Sequence, residues 1–387
     1  MRYDRRMTAS KPSLALLRDL SDENVLLTLM DHSRLTRAEL AVYTGLAKPT
    51  VAAAIRRLEE LGLVFDTGER TTGRGGVGTY YALSAEVGVA LAISIAPEGI
   101  AVEVVNTVGE CQSRFVEPVT RPAAPAAVVR MLVKAVKAAT AGIDGKHLRT
   151  AVVSAADPVD RNSGSLVHLP DAPFLLGALS PVKKLQPLIA GPIVVDNDVN
   201  WAARSEQATR AAAGGQLDDF VYLHLGEGLG CAVVTDGEVR RGHSGLAGEV
   251  AHLITTGSDG HAVTFTSIFE QLSLQQTEST AIDVHRLLAR LDSTGGAELA
   301  RTLARAICGV LSAAIAFCDP SAVVIGGTWG TAAPLLAELR RQAAILPRAI
   351  PVEVATAIGS PSLAGARTAA VDALRRDVLA RATSAAL

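Results

Sequence analysis

Thr36–Gly62 reads TRAELAVYTGLAKPTVAAAIRRLEELG. Thr36 and Glu39 have the S/T-x-x-E spacing of a reciprocal helix cap, so a helix is expected from Arg37, with Leu40 and Val42 turned toward a core. Gly45 stops it, since glycine readily adopts the left-handed conformation that ends helices. After the short turn Thr44-Gly45-Leu46, Pro49 falls in the first turn of a second helix, where its missing N–H costs little. That helix is expected to run to about Gly62. Its apolar positions Val51, Ala54, Ile55, Leu58 and Leu61 recur at steps of three and four, which leaves Lys48, Thr50, Ala53, Arg56 and Arg57 on the other faces.

The flanks extend the pattern. Leu63 to Thr67 and Thr79 to Leu83 are β-prone and enclose Gly68 to Gly78, a glycine-rich loop with Arg70 and Arg74, as in a hairpin wing. A capped helix, a tight turn, a longer helix and a basic hairpin in this order define a winged helix-turn-helix. In that docking mode the second helix enters a DNA major groove, Arg74 reaches a minor groove, and Lys, Arg and Thr side chains hold phosphates. The expected DNA-facing residues are Arg37, Lys48, Thr50, Ala53, Arg56, Arg57, Arg70 and Arg74. Net charge adds little: residues 1–83 carry 12 Lys+Arg against 10 Asp+Glu, and the remainder 25 against 29. A positive patch must therefore come from local placement of arginine.

The 387 residues, 49% hydrophobic and 20% charged, suffice for two or three domains. No apolar run reaches the roughly 18 residues of a membrane span, and Met1-Arg2-Tyr3-Asp4-Arg5-Arg6 lacks an apolar signal core, so a cytoplasmic protein without a membrane partner is expected. Cys111, Cys231, Cys308 and Cys318 show no paired spacing and are expected as free buried thiols. No fixed-period repeat is visible.

After Leu83, strands alternate with helices. Val87 to Ala96 with Ile100 to Asn106 suggests a hairpin, Thr150 to Ala155 and Pro192 to Asp196 buried strands, and Phe220 to Leu225 with Cys231 to Thr235 a second hairpin. Helices are expected at Val128 to Ala139, Trp201 to Ala208 and Ala297 to Phe317, the last followed by a strand at Ala322 to Ile325. Such a succession implies a two-lobed α/β body with its ligand where strand ends meet a cleft. The expected divisions are 12–83 for the winged helix-turn-helix, 84–205 for the first lobe and 206–387 for the second, with a final helix returning to the first.

Three segments carry chemistry. Asp196-Asn197-Asp198 closes an apolar strand with side chains that project into a cleft. Gly226 to Gly230 is a glycine-rich turn able to bring N–H groups to an anion, although such turns are often only hairpins. Glu249 and His252 lie three apart after a glycine-rich approach, where either side chain can bond a polyol.

With Asp157-Pro158-Val159-Asp160, Asp319-Pro320 and Gly326-Gly327, these motifs resemble, in order and spacing from about Asn24 to Gly365, the ROK family of repressors and sugar kinases, specifically its repressor branch. The resemblance implies an actin-like ATPase fold for the body and a homodimer or tetramer. Departures from the family's kinases imply lost phosphoryl transfer. Where those kinases carry an Asp-x-Gly-Gly-Thr phosphate loop, this chain has Ser94-Ile95-Ala96-Pro97-Glu98, and Glu98 repels phosphate. Glu227 adds a second anion. Asp198 matches the family's general base, here expected to hydrogen-bond a ligand.

The family's cysteine run after the histidine is absent from Gly260 to Phe269, so neither structural zinc nor a cofactor is expected. Asp171, in Leu169-Pro170-Asp171-Ala172-Pro173, accepts where an amide would also donate. The expected function is a DNA-binding regulator of repressor type, not an enzyme, that binds an operator and senses a carbohydrate through Asp171, Asn197, Asp198, Glu249 and His252. The alternatives are an ATP-dependent sugar kinase and a regulator that no longer senses a ligand.

Overall fold

A computed structural model of the chain describes residues 14–71, 77–119, 124–169, 174, 179–277 and 279–384. Its first unit comprises helix α1 (Leu14–Asp31), strand β1 (Leu35–Thr36), helices α2 (Arg37–Thr44) and α3 (Lys48–Glu60), and strands β2 (Val64–Arg70) and β3 (Thr79–Leu83). The strands form a sheet in the order β1-β3-β2. The cap is present as expected: the Thr36 N–H donates to Glu39 at 2.7 Å and the Glu39 N–H to the Thr36 hydroxyl at 3.2 Å. Gly45 ends α2 at φ 68°, a conformation that favours glycine.

Val51, Ala54, Ile55 and Leu58 of α3 are buried against Leu40 and the α1 residues Val25, Leu26, Leu29 and Met30. Each large side chain buried in this way contributes roughly 1.5–3 kcal/mol. Val42 departs from expectation, being 81% exposed. In a helix it lies about 200° from Leu40, so the two cannot share a core. Leu61 lies past the end of α3 and is 36% exposed.

The body is a topological duplicate. The first lobe contains β4 (Val89–Ala96), β5 (Gly99–Val105), β6 (Cys111–Glu117), helix α4 (Pro125–Ala139), β7 (Leu148–Ala155), the short α5 (Pro181–Leu185), β8 (Ile193–Asn197) and α6 (Asp198–Ala212). The second contains β9 (Phe220–Leu225), β10 (Leu229–Thr235), β11 (Glu238–Val239), the hairpin β12 (Ile254–Thr256) and β13 (Ala262–Thr264), helices α7 (Ser267–Gln271), α8 (Val284–Leu291) and α9 (Gly296–Cys318), β14 (Ala322–Gly326), α10 (Ala333–Ala343) and β15 (Val352–Val354). The sheets run β6-β5-β4-β7-β8 and β11-β10-β9-β14-β15. In each, an antiparallel three-stranded meander precedes a strand that pairs in parallel with the meander's first strand and a last strand that pairs in parallel with that one.

Several boundaries differ from expectation. Strand β6, with alternating exposed and half-buried residues, lies at a sheet edge and was missed. Helix α6 begins at Asp198 instead of Trp201, because the Asn197 side chain caps it. Cys111 is exposed and Cys318 half-buried, whereas Cys231 and Cys308 are buried; all four are free. Helix α9, contrary to the absence of an apolar run, is long and apolar enough to cross a membrane by length and composition. Leu299, Leu303, Ile307 and Leu311 instead place it in the core of the second lobe.

The last helix, α11 (Pro361–Ser384), leaves the second sheet and packs on the outer face of the first. Leu363, Ala366, Ala370 and Leu374 meet Ala90, Ala92, Val152 and Trp201 there. Farther along, Val378 and Ala382 enter the core of the winged helix-turn-helix. Arg375 donates to the carbonyl oxygens of Thr107 (2.7 Å) and Met30 (3.0 Å), joining the body to the end of α1.

Candidate functional site

Two regions bring functional side chains together. On the winged helix-turn-helix, Lys48 and Arg56 are exposed on α3, with Thr50 and Ala53 partly exposed. Among the described residues, Arg56 makes only a 3.9 Å contact with Glu60. Arg37 stacks over the Tyr81 ring at 4.9 Å, leaving its guanidinium edge open to an acceptor. Arg70 is held by Asp66 at 2.9 Å and 3.1 Å, an exposed pair that a phosphate can replace at little cost.

Arg57 is a correction. Its Nε donates to Asp22 at 2.9 Å and a terminal nitrogen reaches the other carboxylate oxygen. The hydrogen bond and charge of Asp22 raise its pKa against the effect of burial. Arg57 therefore ties α3 to α1 instead of facing a groove. Arg74 lies outside the described residues, as does Asp171.

The second region is the cleft between the lobes, a cavity of about 490 Å³. The carboxyl end of β8 supplies Asn197 and Asp198, the β4–β5 turn Glu98, the β9–β10 turn Glu227, and the segment after β11 Glu249. The Asn197 amide is already engaged, accepting from the Val199 N–H at 3.0 Å and donating to the Asp157 carbonyl at 3.2 Å. It caps α6 and fixes the cleft wall. Behind it, buried Asp196 accepts from Asn200 at 2.8 Å and pairs with Arg241 at 3.2 Å.

Asp198 stands at the first position of α6. Burial pushes its carboxyl up to about 7, against a bond from the Val199 N–H and with the further help of Asp157, Glu249 and Glu98. Burial likewise pushes Glu249 up to about 7, with His252 opposing and Asp157 adding to the rise. Near neutral pH each group is thus divided between acid and carboxylate, able to donate to or accept from a hydroxyl. His252 joins Glu249, Glu227 and Pro158 around a side recess of the cleft.

Sequence reasoning missed His224 and Arg114. His224, the penultimate residue of the buried strand β9, lines the cleft; burial lowers its ring to about 4, so it is uncharged at neutral pH. A polar residue just before the Gly226 turn was the available signal. Arg114, on the missed strand β6, also lines the cleft, 3.7 Å from buried Glu103.

The zinc that the family resemblance implies does not fit the segment after His252. Ser258 donates twice to Gln271, from its N–H and its hydroxyl, both at 3.0 Å, and the His261 N–H donates to Asp259 at 3.0 Å. Among the described residues, no three His, Cys, Asp or Glu side chains converge as metal ligands. Hydrogen bonds hold this hairpin in place of thiolates.

Duplicated sheets facing across a carboxylate-lined cleft, joined to a winged helix-turn-helix, define a sugar-kinase-type actin-like body fused to a DNA-binding module. The chain belongs to the ROK family, which it matches over residues 90–370, and residues 18–64 match a family described as winged helix-turn-helix DNA-binding. It is 24% identical over 241 residues to the xylose repressor of Caldicellulosiruptor bescii, covering 61% of this chain and 59% of that protein. It is 30% identical over 168 residues to a glucokinase of Streptomyces coelicolor, covering 43% and 50%. The chain thus spans about half to three fifths of these relatives. A solved ROK family transcriptional regulator, a homologue of the E. coli MLC protein, shares the fold with a TM-score of 0.64 at 16% identity, covering 95% of this chain and 99% of that one.

Proposed function

We propose that this protein is a sequence-specific transcriptional regulator of repressor type, whose ROK body binds a carbohydrate and does not transfer phosphate. The observation that carries the reading is α11: Leu363 borders the cleft, while Val378 and Ala382 lie in the core of the winged helix-turn-helix. A ligand that favours one arrangement of the lobes would shift this helix and, with it, the DNA-binding unit. Coupling of this kind requires different ligand affinities in the two arrangements. Asp198, Glu249 and His252 contact the effector, and Asn197 holds the wall. The expected state is a cytoplasmic homodimer or tetramer, because paired recognition helices read two half-sites.

Loss of kinase activity is supported by the charge of the cleft. Glu98 and Glu227 line it, and its basic lining residue, Arg114, lies beside Glu103. Phosphoryl transfer needs cations and backbone donors around the phosphates. The competing reading, a sugar kinase, draws on the similarity to the glucokinase and on Asp198 at a position suited to a general base.

The test is binding to promoter DNA from the protein's own gene neighbourhood at two salt concentrations, with and without sugars, alongside an assay for ADP release. Selective, salt-sensitive binding altered by a sugar, without ADP release, is the expected result. Sugar-dependent ADP release abolished by Asp198→Asn, with no selective DNA binding, would overturn the proposal.

A further inference from the structure

A second chamber of about 320 Å³ adjoins the cleft. Asp198, Val199, His224, Gly359, Pro361 and Ser362 border both. The far wall of the second chamber consists of Tyr222, Gly326, Gly327, Thr328, Thr331 and Ala357 among others, and no Lys or Arg among the described residues lines it. Hydroxyls, an aromatic ring and backbone surround this space, while the carboxylates of Glu98, Glu227 and Glu249 belong to the first chamber.

Size and charge together restrict the occupant. Pockets for ligands of drug size measure roughly 300–1,000 Å³, and a single hexose has about half the non-hydrogen atoms of such a ligand. One sugar ring therefore fills only part of the first chamber and none of the second. A phosphorylated ligand would place its charge among carboxylates with no cation in the second chamber to receive it. At the partition, His224 makes no hydrogen bond among the described residues. A neutral imidazole has one donor and one acceptor, which matches a hydroxyl or ring oxygen near a glycosidic bond.

We infer that the effector is an uncharged di- or oligosaccharide, with one ring among Asp198, Glu249 and His252 and the next beyond His224 in the chamber lined by Tyr222 and Thr328. This inference rests on the carbohydrate-sensing reading above and specifies its ligand class. The second ring bonds to the hydroxyls of the far wall, Thr328 and Thr331, and Ser362 at the start of α11 lies beside the linkage.

Calorimetric titration of the full chain with glucose, xylose, maltose, cellobiose and xylobiose, and with AMPPNP and magnesium, tests it. At least one disaccharide is expected to bind about tenfold or more tighter than its constituent monosaccharide. Thr328→Trp, an exposed site whose enlargement fills the second chamber, should remove that gain and leave monosaccharide affinity within about twofold. Thr331→Trp, also exposed, provides an independent filling variant. Monosaccharide binding with no disaccharide gain, or AMPPNP binding that Thr328→Trp blocks, would overturn the inference while leaving sugar binding in place. Failure of every sugar to bind would overturn both.

Discussion

Glu206 holds Thr356 twice, accepting its backbone N–H at 2.8 Å and its hydroxyl at 2.9 Å, and also takes the Ala357 N–H at 3.0 Å. The carboxylate is fully buried and paired with Arg210 at 2.7 Å. It therefore fixes the link between β15 and α11, where the chain crosses from the second lobe to the first. Replacing Glu206 by Ala leaves two N–H groups and the Thr356 hydroxyl without their acceptor and Arg210 with Glu353 alone. Chemical denaturation should show a loss of about 3–5 kcal/mol, with a smaller loss for Glu206→Gln.

At Gly365, α11 passes close against the backbone of α6. A Cβ there would stand 2.0 Å from the Trp201 carbonyl oxygen. In an exposed helix, Gly→Ala adds up to about 1 kcal/mol of stability. Here the contact is with backbone and reverses the sign, so Gly365→Ala should cost about 1–3 kcal/mol or more by overpacking. A rise in thermal midpoint would contradict this packing.

The two arginines at the end of α3 should separate by phenotype. Arg57→Ala removes the bond to Asp22 and should lower stability by about 1–2 kcal/mol, an effect that Asp22→Ala reproduces and the double variant does not double. Lys48→Ala and Arg56→Ala should leave stability nearly unchanged and weaken DNA binding, each reducing the salt slope by about 1. Equal effects of Arg57 and Arg56 on the salt slope would show that Arg57 reaches phosphate after all.

The raised carboxyls of Asp198 and Glu249 give a sign for pH dependence. Groups whose folded pKa exceeds the unfolded one stabilise the fold fully below the unfolded value, and that contribution is lost as pH rises through the folded value. With folded values of about 7 against ordinary values of 3.8 and 4.5, this contribution to the unliganded protein should decline between about pH 4 and pH 7. Asp198→Asn with Glu249→Gln should flatten the curve of thermal midpoint against pH. An unchanged slope would mean that the cleft solvates both carboxylates.

The parts of this fold that were legible in sequence are those whose partners lie nearby. Thr36 and Glu39 are three residues apart, and the buried positions of α3 repeat within one helix, so spacing alone placed them. Arg57 looked free because its partner, Asp22, lies 35 residues away. The duplication of the lobes left no sequence repeat, since it is conserved as strand pairing and direction, which many side chains satisfy. Asn197, Asp198, Glu249 and His252 were recognisable as motifs, but the engagement of Asn197 with Asp157 depends on two strand ends meeting in space. His224 was hidden inside an apolar strand, and α11 is anchored through Arg375 to residues more than 250 positions away.

The path of α11 also bears on how this gene must be handled. A stop codon placed just before Val378 would leave the whole recognition segment in the translated product, yet it would remove two side chains from that segment's core. Selections for derepressed mutants should accordingly return lesions both in the winged helix-turn-helix and around Val378, and a bulky insertion close behind Ala382 should mimic a defect in the recognition helix.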